Sequence, residues 1–133
     1  MNVDERLKKA ARALASAKLL WTDGDFDGAC NRAYYAMFDA AHAALLGSGV
    51  HPNRVTIKTH RGLMAAFGQH LVKPGLFTSE LGKWLNQVER VRLIADYTGE
   101  AIEEEQVHWV IEHAKLFVEA IQQQLAPIDT EHR

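Results

Sequence analysis

Apolar positions recur three and four residues apart along nearly the whole chain, and nowhere do they alternate strictly between hairpin signals. That pattern predicts an all-α protein. The first helix is expected from Asp4 to Thr22, with Leu7, Ala11, Leu14 and Ala17 or Lys18 along one stripe and the breaker TDGD after it. Asp25 is placed to cap a second helix that runs to Leu46, where GSG follows. The proline and asparagine of VHPNRVTIK mark a loop, and Thr59 can cap a short third helix reaching His70 or Leu71. KPG closes it, Thr78 or Ser79 opens a fourth helix periodic through Leu81, Leu85 and Val88 to about Tyr97, and YTGE is its stop. A fifth begins near Glu103, where an acidic run suits a helix N-terminus, continues through Val107, Val110, Ile111, Ala114, Phe117, Val118 and Ile121, and ends at Pro127. Short connections favour antiparallel neighbours, so the expected product is an up-and-down helical bundle of four long helices and one short one.

The same helical arithmetic locates polar groups. On the second helix, CNRAYYAMFDAAHAALL, the residues Asn31, Tyr34, Tyr35, Ala41, His42 and Leu45 all fall within roughly 60° of Phe38, while Arg32 and Asp39 fall to the side. Asn31, His42 and at least one tyrosine hydroxyl are therefore expected to face the bundle interior, where each needs a partner. On the fourth helix Arg92 lies about 20° and Asp96 about 60° from Leu81, so both project with the apolar stripe, and their spacing of four lets them meet. Arg90 and Tyr97 project outward. Two readings stand side by side: a satisfied polar network that fixes helix register, or a cleft in which arginine holds a phosphate or nucleotide between aromatic faces.

Length and charge narrow the rest. The 133 residues suffice for one domain, 1–133, with a real core. A net charge of -2 argues against phosphate neutralisation by the whole surface, so any RNA contact must come from a local patch or a dimer cleft. The lone Cys30 lies in an apolar helix pattern and reads as an inert core thiol. Seven histidines show neither an HExxH pattern nor a cysteine partner, and His108 and His113, five apart, splay on a helix, so no metal is expected. No phosphate-binding glycine pattern or GxSxG is present, and no cofactor is called for. With no apolar leader or membrane span in the sequence, a cytoplasmic prokaryotic protein is the expectation.

Three pieces, NRAYYAMFDAAHAALL, KTHRGLMAAFGQHLVKPG and VERVRLIADY, in this order, resemble a HEPN domain of the stand-alone prokaryotic kind, the likeness spanning about Leu7 to Ile121. The resemblance implies a helical bundle, usually homodimeric. Many such proteins are metal-independent endoribonucleases or the toxin half of a pair with a small nucleotidyltransferase, and others bind nucleotide or RNA without cleaving it. In the ribonuclease members an arginine is followed four to six residues later by a histidine, and toxin members often add a tyrosine two positions beyond it. Arginine steadies phosphate charge and histidine moves the proton as the ribose 2′-hydroxyl attacks.

Here that signature is broken. Matching Arg90 to the arginine puts Tyr97 on the tyrosine but Ala95 on the histidine; matching Arg92 brings Asp96 and no histidine. Arg54 and His60 have the spacing but precede the third helix. The expectation is a nucleotide-, RNA- or partner-binding protein working with a small nucleotidyltransferase, with Asn31, Tyr35, His42, Arg92 and Asp96 as binding residues and Tyr97 as a modification site. The alternatives are an endoribonuclease using Arg92 with Asp96 and His42, and a purely structural interaction module.

Overall fold

The computed structural model describes residues 2–49 and 57–125, and every regular element among them is helical. Helices α1 (Val3–Thr22), α2 (Phe26–Gly47), α4 (Ser79–Thr98) and α5 (Glu104–Leu125) form the long members, and α3 (His60–Phe67) is the short one. The expected bundle is thus found. Its ends follow local chemistry. Asn2 and Glu5 make a reciprocal capping box on α1, and the side chains of Asp25 and Thr59 accept from the backbone N–H groups of Gly28 and Gly62. Gly99, at φ 69°, ends α4 in the left-handed region that glycine adopts without strain. The expected loop before Ile57 and the stop at Pro127 fall on residues outside the described ones.

Past Phe67 the short helix does not continue as α. Residues Gly68–Val72 form a π-helical turn, with the Lys73 N–H reaching back to the Gly68 carbonyl at 2.9 Å. This widened turn still delivers Leu71 fully into the core, beside Phe67, which stacks on Phe117 of α5 at 5.8 Å between ring centroids.

α2 runs through the middle, packed against α1 along most of its length and against α5 and α4 on other sides. Alanine makes this possible: Ala29, Ala33, Ala36, Ala40 and Ala44 are completely buried, facing Ala10, Ala13 and Ala17 of α1 and the Val107, Val110, Ala114 and Phe117 row of α5. Two expectations are corrected here. The buried stripe of α1 is Ala10, Ala13, Leu14 and Ala17, and Ala11 is exposed. On α2 the core face lies roughly 130° from Phe38, along Ala33, Met37, Ala40 and Ala44. Phe38 is only half-buried, Asn31 is exposed, and Asp39 is buried. Small side chains let helix backbones approach most closely, so they, and not the largest hydrophobe, define the inward side.

Candidate functional site

Arg92 enters the molecule from α4 and is held on three sides. Its Nη2 donates to both carboxylate oxygens of Glu89, at 2.9 and 3.1 Å, one turn back on the same helix. Its guanidinium carbon sits 4.6 Å from the centre of the Tyr34 ring and 5.6 Å from that of Tyr35, cation over aromatic face. Asp96 approaches from the outer end at 3.8 Å, with 62% of its side chain exposed against 7% for Glu89. Phase arithmetic therefore placed Arg92 correctly, inward and paired, but named the weaker partner. The main counter-ion is Glu89, and Asp96 is a solvent-side neighbour.

An imidazole is also present, brought by a different helix. His60, the first residue of α3, lies with Nδ1 2.9 Å from the Tyr34 hydroxyl and Nε2 3.2 Å from Oδ1 of Asn86. A carboxamide oxygen only accepts, so Nε2 carries the hydrogen, and the bare Nδ1 of the neutral ring takes the Tyr34 O–H. The same Nδ1 is 3.7 Å from the Glu89 carboxylate, a separation that is an ion pair only for the protonated ring. Burial, with the Glu89 charge added to it, pushes the Tyr34 phenol up, so it remains an O–H donor. Tyr34, His60, Asn86, Glu89 and Arg92 form one hydrogen-bonded and charge-paired cluster, drawn from α2, α3 and α4.

The sequence expectation for His42 is corrected. It does not reach Arg92; its Nδ1 is 3.0 Å from Nη1 of Arg6 on α1, and its Nε2 is 2.9 Å from the carbonyl oxygen of Ile57. Asn31 points to solvent and joins neither group. Of the tyrosine pair, Tyr34 is the buried one and Tyr35 is 39% exposed, covering the cluster from outside. Four members, Tyr34, His60, Asn86 and Glu89, were not anticipated as site residues. A helical phase diagram reports direction within one helix, and Tyr34 and His60 reach the Glu89–Arg92 pair only across helices.

Beside the cluster a groove of about 390 Å³ is lined by His60, Asn86, Glu89, Arg90, Ile94 and Tyr97, among others. Tyr97 is 85% exposed on its rim, as its outward phase requires. Among the described residues no group of three histidine, cysteine, aspartate or glutamate side chains is arranged to hold a metal ion, and no helix is long and apolar enough to cross a membrane.

The family model of the HEPN domain matches residues 3–124, and the chain belongs to that family. Among its relatives is a UPF0332 protein of Thermotoga maritima, 36% identical over 92% of this chain and 93% of its own length. Another, from Methanocaldococcus jannaschii and named "Putative toxin MJ0605", is 33% identical over 90% of this chain and 85% of its own. A UPF0332 protein of Gloeobacter violaceus is 36% identical over 70% of each chain.

Proposed function

We propose that this chain is a toxin-type HEPN protein that acts by binding, using the α2–α4 face around Arg92 to engage RNA or a nucleotide without cleaving it, and that it works in the cytoplasm with a small nucleotidyltransferase. The toxin reading draws on the name of the Methanocaldococcus jannaschii relative. The observation that carries the binding reading is the Glu89 carboxylate, already clasping the guanidinium that a ribonuclease needs free for phosphate. Both ring nitrogens of His60 are likewise engaged, and no imidazole follows Arg92 on α4. Among the residues lining the groove the exposed cation is Arg90, with the exposed ring of Tyr97 on the same groove.

Tyr97 is the residue for a nucleotidyltransferase to modify. Its phenol oxygen would attack the α-phosphorus of a nucleoside triphosphate, with pyrophosphate leaving and the phenol proton lost to solvent. The product places a nucleotide across the groove. A homodimer fits the same helix, since Ile94, 51% exposed, forms a ridge on α4 between this groove and a second one lined by Val91, Ile102 and Trp109.

A second reading, metal-independent RNA cleavage, has one observation in its favour: His60 supplies the imidazole that α4 lacks, in place of the His42 first considered. Incubation of the purified protein with mixed RNA in EDTA, alongside titration with a fluorescent single-stranded RNA, separates the two. Binding without cleavage, weakened by Arg90→Ala, is expected. Cleavage abolished by Arg92→Ala and by His60→Ala would replace binding with hydrolysis.

A further inference from the structure

Tyr34, Phe38 and His42 stand four residues apart on α2, so their rings climb one side of the helix in successive turns. Phe38 lies 5.9 Å from Tyr34 and 4.8 Å from His42, ring centre to ring centre. The short stretch Ile57 to His60 is fastened at both ends of this ladder. His42 holds the Ile57 carbonyl at the top, and Tyr34 holds the His60 ring at the bottom. The lengths agree: eight helical residues rise roughly 12 Å, and three extended peptide steps span about 10 Å.

The partners of His42 also dictate its protonation. A carbonyl oxygen only accepts, so Nε2 must carry hydrogen; a guanidinium only donates, so Nδ1 must be bare for Nη1 of Arg6. Both bonds exist together only in the neutral ring. A proton added at Nδ1 removes the Arg6 bond and sets two cations about 3 Å apart. The charged groups that meet the imidazole are Arg6 and Lys9 from α1 and Asp39 from its own helix, while the stretch before α3 presents the Ile57 carbonyl. Burial pulls its pKa down and Arg6 adds to that, against the opposing pull of the Ile57 bond and of Asp39.

We propose that His42 is the positioning residue for His60: donating from Nε2 to the Ile57 carbonyl and accepting from Arg6 at Nδ1, it fixes the Ile57 end of the stretch leading into α3 and so holds His60 in the cluster around Glu89 and Arg92. Arg6, on α1, thereby supports a site built by α2, α3 and α4. The inference deepens the site described above, but its test involves neither RNA nor a partner protein, so its failure is separate from failure of the binding reading.

The test follows the ring signals of His60, and their contact with the Tyr34 ring, by NMR at pH 8. In the unaltered protein the contact is expected. His42→Gln keeps a donor for Ile57 and an acceptor for Arg6 and is expected to retain it. His42→Ala, shown folded by circular dichroism, should lose it. Should folded His42→Ala keep the contact, or folded His42→Gln lose it, the proposal is overturned.

Discussion

Glu89 and Arg92 form an ion pair that is mostly withdrawn from water, and such pairs are far costlier to break than to do without. Glu89→Ala leaves the guanidinium in place with only Asp96 at its outer end. Chemical denaturation of that variant should show a loss of roughly 3 kcal/mol. Replacing both members, Glu89→Leu with Arg92→Met, should recover most of it, and a full double-mutant cycle measures the difference. The Cys30 thiol, completely buried, is pushed up to about 12, chiefly by burial with Asp27 adding to it. A thiol-specific reagent at pH 8 should therefore leave Cys30 untouched in the native protein and modify it at once in denaturant. Arg92 was legible because its own helix fixes its direction, and Tyr97 was legible for the same reason. Glu89, close to Arg92 in the chain, was not singled out, since nothing local reveals that Tyr34 and His60 close over it from other helices.

Helix ends were read well wherever one residue supplies the physics. Asp25, Thr59 and Gly99 each satisfy or terminate backbone hydrogen bonds by their own chemistry, independently of the fold. Thr59→Ala should lower stability by about 1 kcal/mol, seen as a shifted denaturation midpoint with an unchanged slope. The π-helical turn at Gly68–Val72 was not readable, because apolar residues spaced as Phe67, Leu71 and Val72 fit an ordinary helix equally well. The inward side of α2 was misread for a related reason. Ranking by size made Phe38 the centre, whereas contact with α1 and α5 selected the alanines. Ala40→Leu should accordingly cost about 1 to 3 kcal/mol through overpacking, while a polar change at exposed Asn31 should be nearly silent.

Across the molecule, two groups on one stretch of α2 make stability depend on acidity in opposite senses. His42 has a folded pKa below its ordinary 6.5, so its share of stability is complete above that value and is lost as pH falls from 6.5 toward the folded pKa. Asp39 is raised above its ordinary 3.8, mainly by burial, against the lowering pull of Lys9, so folding favours its protonated form. Its share is present below 3.8 and is lost as pH rises through the folded pKa. Thermal melts should show Asp39→Asn gaining on the unaltered protein at pH 7 and converging with it near pH 4. The alanine seam bears on how a protein of this design can change its habits. Where helices are pressed backbone to backbone a guest molecule finds no seat, so chemical novelty is most easily written on the outer skin, in side chains such as Arg90, Ile94 and Tyr97 that the scaffold can surrender one at a time without coming apart.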